Sequence, residues 1–205
     1  GVCGIICPPA TYFHNFDSLQ SPMFKGAQNC SLFDRGQYTG EISPQMLKDN
    51  NCQFCIVGHS ERRKIFNEVD QEIRLKSENL INNGIIPIIC IGETYEDKVN
   101  NRTKEVLRNQ IINSLPKNSS KDSLIIAYEP IWAIGSGLTA SLDEINKIHY
   151  FLKKDIEKTS NFNIIYGGSV KSDNSRSIIN LDNVDGVLVG GASLNPLEFS
   201  KIIKL

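Results

Sequence analysis

Two residues in this chain of 205 stand where an acid–base reaction could be run, His59 and Glu129. His59 follows the apolar stretch 53–58 and lies in Gly58-His59-Ser60-Glu61-Arg62-Arg63, beside a hydroxyl, a carboxylate and two guanidinium groups. An imidazole both donates and accepts protons near neutral pH, so this cluster suits an electrophile or a general acid–base; a lone strand-end histidine also reads as structural. Glu129 closes the apolar run 124–129 and is followed by Pro130-Ile131-Trp132-Ala133-Ile134-Gly135-Ser136-Gly137. A carboxylate ending a buried strand faces a site, not bulk water, and can take a proton; a salt-bridged strand-end glutamate gives the same pattern. The single tryptophan among small apolar residues and glycines predicts a lid with permissive hinges.

Two glycine pairs add a third kind of chemistry. Tyr166-Gly167-Gly168-Ser169 and Leu188-Val189-Gly190-Gly191-Ala192-Ser193 close successive apolar runs near the end of the chain. Glycine lets backbone N–H groups approach an anion, and the last two loops of a barrel often bind phosphate. Each pair alone is also just a turn, but together they point to a small phosphorylated substrate.

Other candidates carry less. Cys52 and Cys55 form a C-x-x-C, yet a strand turns residues three apart toward opposite faces, so the two thiols cannot chelate a metal together. The six cysteines, Cys3, Cys7, Cys30, Cys52, Cys55 and Cys90, lie mostly in apolar stretches and are expected to remain reduced. His14 and His149 have no acidic or nucleophilic pattern nearby, and Lys117, Lys121, Lys153 and Lys154 read as solvated faces.

Positioning these residues requires a repeated scaffold. Apolar, β-branched runs at 2–7, 25–30, 53–58, 85–91, 124–129, 163–167 and 186–190 alternate with helical spacing, the signature of a parallel sheet with crossover helices. The clearest helices are 70–82 and 141–158, the latter opened by Ser141 and Glu144 as a capping box. Shorter ones are expected at 44–50, 103–114, 172–180 and 196–204, with Pro44 and Pro196 in their first turns, and a loop at 116–123. An open doubly wound sheet is the other architecture with this alternation, but no G-x-G-x-x-G follows the first strand.

The near-balance of 22 basic and 23 acidic residues, interspersed, argues against a nucleic-acid partner, and no apolar run approaches the ~20 residues of a membrane span. No signal region opens the chain, so a cytoplasmic location is expected. The absence of an initiator methionine before Gly1 suggests a trimmed chain or an incomplete gene model.

The four motifs around His59, Glu129, Ser169 and Gly190, in that order, resemble the signatures of the triosephosphate isomerase family. Ala27-Gln28-Asn29-Cys30, Tyr38-Thr39-Gly40-Glu41-Ile42-Ser43 and Cys90-Ile91-Gly92-Glu93 do so as well. The resemblance implies an α/β fold, the (β/α)8 TIM barrel, as a single domain over 1–205. It further implies a cofactor-free and metal-free isomerase of glycolysis, gluconeogenesis and the pentose phosphate pathway, interconverting dihydroxyacetone phosphate and glyceraldehyde 3-phosphate. Glu129 would be the base and His59 the electrophile, with Glu61 supporting them and Ser60 and Cys90 behind. Gly135, Ser169, Gly190 and Gly191 would hold the phosphate, and Thr39 and Asn29 would lie in a homodimer interface. Many relatives carry lysine where Leu138 stands.

The resemblance has one gap. The family's first strand carries an Asn-x-Lys pair that reaches the substrate, and the seven runs here match the second to eighth strands, so the first β-α unit is expected to be missing and the chain N-terminally truncated. A chain without that unit is expected to be weakly active or inactive, and a catalytically dead barrel relative binding phosphorylated ligands or protein partners is the alternative. Its unpaired strand edges would recruit other chains, so instability or aggregation is expected, and the Thr39 loop would dock against an incomplete wall of the partner pocket, weakening the dimer.

Overall fold

The computed structural model describes residues 2–117, 119–134, 138–156, 159 and 161–204. They fall into two compact units, Gly1–Ile89 with Asn113–Ser119, and Cys90–Ile112 with Ser120–Leu205. In each, strands adjacent in sequence are adjacent in the sheet and run parallel.

The first unit holds β1 (Gly4–Ile6), β2 (Met23–Ala27), β3 (Phe54–Val57) and the first residues of β4 (Ile86–Ile91). Gly4 pairs with Met23, Gly26 with Phe54, and Phe54 with Ile86. The crossovers are a 3-10 helix (Ala10–Phe16), α1 (Pro44–Asp49), and the pair α2 (Ser60–Ile65) and α3 (Asp70–Asn82). Helix α3 buries Ile73, Ser77 and Leu80, one face at three- and four-residue spacing. Cys55, Val57, Ile88 and Ile89 complete this core.

The second unit begins with the end of β4 and continues through α4 (Tyr95–Val99) and most of α5 (Thr103–Ser114). It then holds β5 (Ile125–Tyr128), a 3-10 turn (Ile131–Ala133), α6 (Leu142–Tyr150), β6 (Asn163–Tyr166) and α7 (Ser175–Ile179). β7 (Gly186–Val187), a 3-10 turn (Gly191–Leu194) and α8 (Pro196–Ile203) end it. Pairing extends one residue past each strand: Glu129 N–H donates to Ile91 C=O at 2.7 Å, Gly167 N–H to Tyr128 C=O at 2.8 Å, and Leu188 N–H to Tyr166 C=O at 2.8 Å. The ladder therefore fixes the first residue after each strand, where the candidate chemistry lies.

All seven runs read as strands form strands, though the second is displaced to Met23–Ala27 and the last shortens to Gly186–Val187. The capping box at Ser141 is formed in both directions, Ser141 Oγ accepting from Glu144 N–H and Glu144 Oε2 from Ser141 N–H. The helix it opens does not continue unchanged to residue 158: after Tyr150 it widens into a π-helical turn, Phe151–Asp155, in which Phe151 and Leu152 are buried. Lys153 is not a solvated side chain either. Its ammonium donates to Asp185 at 2.7 Å, and the same carboxylate accepts Ile164 N–H at 2.6 Å, fastening this turn to the start of β6. Helices α2 and α4 and the 3-10 helix at Ala10–Phe16 were not foreseen, being too short for a periodic signal.

Candidate active site

In the first unit the chain leaves β3 through Gly58, whose φ of +67° favours glycine and whose built Cβ would crowd the Ile73 side chain at 2.6 Å. The turn makes His59 the residue that caps α2. Its Nδ1 accepts the Glu61 N–H at 3.3 Å. An accepting Nδ1 puts the proton of the neutral ring on Nε2, so the imidazole offers Nε2–H as a donor. The Glu61 carboxylate lies 3.8 Å from the same Nδ1 but is 72% exposed, whereas Ser60 is buried.

The two arginines of the motif brace this turn. Arg63 donates through Nε to Gly58 C=O at 2.9 Å and through a terminal nitrogen to Asp70 at 2.6 Å; Asp70 also accepts Ser114 Oγ at 3.0 Å. Arg62 donates to Glu68 Oε1 at 2.6 Å, and Lys76 donates to that oxygen at 2.6 Å and to Asn29 Oδ1 at 3.0 Å. Glu68 Oε2 is buried without a partner among the described residues. Asn29 is thus one end of an internal charge network. Thr39 is exposed in a loop closed by Glu41 N–H to Tyr38 C=O, with the Tyr38 ring stacked on Phe33 at 3.9 Å.

In the second unit Glu129 is only 2% exposed, and its surroundings are built by glycines. A Cβ at Gly167 would lie 2.8 Å from Glu129 Cγ, and one at Gly168 would lie 2.2 Å from the Tyr166 hydroxyl. The glycine pair after β6 thus answers a packing demand that its reading as an anion loop does not contain. Gly92 meets Glu129 from the other side, and Gln110 holds both of its backbone groups, accepting N–H at 2.8 Å and donating to C=O at 3.1 Å.

Glu93, also buried, accepts Trp132 Nε1–H at 2.7 Å and the Tyr128 hydroxyl at 3.2 Å through Oε1. Burial raises its pKa, opposed by the donors from Trp132 and Tyr128. Cys90, within β4 and three residues before Glu93, is fully buried. From the sequence Glu93 stands only as the last residue of the motif Cys90-Ile91-Gly92-Glu93, with no role given to it, and Gln110 is not singled out. A carboxylate two residues after the apolar run Ile86–Ile91 is the available signal for Glu93; Gln110, on a helix, gives none.

Ser169 is half-buried and its C=O accepts Asn174 Nδ2–H at 3.0 Å. Gly190 C=O accepts the N–H of Ser193 at 2.9 Å and its hydroxyl at 2.7 Å. Gly190 and Gly191 are exposed, and nothing lies within 4 Å of a Cβ built on either, which leaves room for an anion. Gly135, with Ser136 and Gly137, lies outside the described residues. Among the described residues no group of three or more His, Cys, Asp or Glu side chains is arranged to hold a metal ion, and no helix is long and apolar enough to cross a membrane.

The triosephosphate isomerase family profile matches residues 2–205. A triosephosphate isomerase of Thermodesulfovibrio yellowstonii is 49% identical over 183 residues, 87% of this chain and 74% of the relative. The enzyme of Hahella chejuensis is 41% identical over 207 residues, 98% of this chain and 84% of the relative. The crystal structure of triosephosphate isomerase from Bartonella henselae superposes with a TM-score of 0.89 at 36% identity, covering 98% of this chain and 85% of that one. The fold class is thereby that of the TIM barrel. Matched along its length by the family profile and by relatives at this identity, the chain belongs to the triosephosphate isomerase family.

Proposed function

We propose that the protein interconverts dihydroxyacetone phosphate and glyceraldehyde 3-phosphate by moving a proton between adjacent carbons through an enediolate. Glu129 takes the proton from C1 of dihydroxyacetone phosphate, and the electron pair released from that C–H bond moves onto the C2 carbonyl oxygen. His59, neutral and carrying its proton on Nε2, donates a hydrogen bond to that oxygen, the division of labour established for this family. A proton passes from the C1 hydroxyl to the C2 oxygen through His59, and Glu129 returns its proton to C2 as the C1=O bond forms, giving the aldehyde. Ser169, Gly190 and Gly191 bind the phosphate, while Glu61, Ser60 and Cys90 support the reacting pair. The observation that carries the reading is the burial of Glu129 against Gly167 at the end of β5, a carboxylate kept from bulk water with its backbone fixed.

The same reading covers the rest of the chain. Residues 1–205 belong to one barrel domain, whose seven strands correspond to the second to eighth of the family. The location is cytoplasmic. The enzyme is a homodimer in which Thr39 and Asn29 face the partner.

The test is Glu129→Asp, which withdraws the carboxylate by one methylene. A displacement near 1 Å costs on the order of 10²-fold, and kcat is expected to fall by that much in a coupled isomerase assay. Unchanged turnover would remove Glu129 from the mechanism.

A further inference from the structure

Trp132 follows Glu129 by three residues, and what holds its ring bears on what holds the base. The indole N–H is fixed by Glu93 at 2.7 Å, and the Glu93 C=O accepts Ile131 N–H at 3.1 Å, so the stretch after Glu129 is pinned along one edge. The face of the ring is held by a different residue. Lys98 Nζ stands 3.3 Å from the ring centroid, a cation over the negative face of the π system.

Lys98 has a second attachment. The same ammonium donates to Glu144 Oε1 at 2.9 Å, and Glu144 uses its other oxygen to accept both the N–H and the hydroxyl of Ser141, each at 2.9 Å. Ser141 opens α6. The ammonium therefore touches a residue just before 135–137 and, through one carboxylate, a residue just after. Its own platform is braced, since Thr94 and Asp97 cap α4 reciprocally and Asp97 pairs with Arg102 at 2.8 Å. Backbone donation from Ser141 and the Lys98 hydrogen bond hold Glu144 at a pKa of about 2, so its charge persists at any pH at which the protein would be assayed.

We propose that Lys98 is a positioning residue for the isomerisation, a single cation that seats the ring of Trp132, three residues after Glu129, and ties that seat to the start of α6. It touches no reacting atom. Its effect passes through Trp132 to the orientation of the chain that follows the base, and the inference rests on the isomerase reading given above.

The experiment compares Lys98→Met, Lys98→Arg and Glu144→Gln in the full enzyme by two readouts. The first is emission from Trp132, the only tryptophan in the sequence, so that the spectrum reports this ring alone. The second is kcat and KM for isomerisation. Lys98→Met is expected to shift the emission and to lower kcat about two- to fivefold, the worth of one exposed cation–π contact, with a smaller change in KM. Lys98→Arg is expected to restore both, because a guanidinium can cover the indole and still pair with Glu144. Glu144→Gln should move the emission in the same direction as Lys98→Met. An emission spectrum unmoved by Lys98→Met, or an arginine variant as impaired as the methionine one, overturns the proposal. Were the parent enzyme to lack isomerase activity, the functional reading would fall, and the emission comparison alone would decide the role of Lys98 by the same outcomes.

Discussion

Gly92 and Glu129 meet backbone to backbone: a Cβ built on Gly92 would stand 1.8 Å from the Glu129 carbonyl oxygen. No side chain can rotate to relieve that overlap, so Gly92→Ala must part the end of β4 from the residue that follows β5. A shift near 1 Å at a reacting group costs on the order of 10²-fold, and kcat is expected to fall accordingly while circular dichroism stays that of a folded chain. At Gly167 the built Cβ meets the Glu129 side chain instead, at 2.8 Å, so Gly167→Ala should displace the carboxylate with less damage to the sheet. Parental turnover in both variants would show that the base is not seated by these glycines.

The carboxylate of Glu68, 8% exposed, receives Arg62 and Lys76 through one oxygen, and Lys76 is itself 6% exposed. Removing one member of a buried ion pair leaves the other uncompensated and typically costs about 3–5 kcal/mol. Glu68→Ala is expected to lower unfolding stability in urea by an amount of that order and, because Lys76 also holds Asn29, to weaken the proposed dimer in sedimentation velocity. A variant as stable as the parent would mean that Lys76 and Arg62 find other partners.

His149 is buried, and burial depresses its pKa from 6.5 to about 4, against the opposing pull of the Asn183 C=O and Asp185. Between these values the unfolded chain binds a proton that the folded one refuses, so stability falls as pH drops from about 6.5 and levels off below about 4. The full effect is on the order of 3 kcal/mol. His149→Gln keeps a donor for Asn183 but has no titration, and its stability should vary less across that window. Equal slopes for variant and parent would assign the acid sensitivity to other groups.

Gly191 allows the phosphate reading to be tested without disturbing the fold. Nothing lies within 4 Å of a Cβ there, so Gly191→Leu should leave the thermal midpoint unchanged in the absence of anion. Inorganic phosphate is expected to raise the midpoint of the parent, since a ligand bound only to the folded state stabilises it by mass action, and to raise that of the variant less. An equal response would place the anion elsewhere.

The sequence by itself determined the number and order of the strands, because β-branched apolar runs recur with turn residues between them and period alone marks them. It also marked His59 and Glu129, since a titratable residue directly after a buried strand stands out against its neighbours, and the capping box at Ser141, whose partners are three residues apart. Only the tertiary structure decided what lies across the chain from each. Gly92 and Gly167 flank Glu129 from 37 and 38 residues away, and Lys98 reaches Trp132 and Glu144 across 34 and 46, separations at which no periodicity survives. The glycines after β6 read as an anion loop because glycine in a sequence reports freedom without saying what uses it; the structure adds that the Glu129 side chain and the Tyr166 hydroxyl stand where their Cβ atoms would lie. Lys153 looked solvated because charge favours water, and the pairing with Asp185 that reverses this is set by the return of the chain at β6 and β7. Local spacing fixes which residues form an element, whereas burial and pairing depend on which distant segments the fold brings alongside.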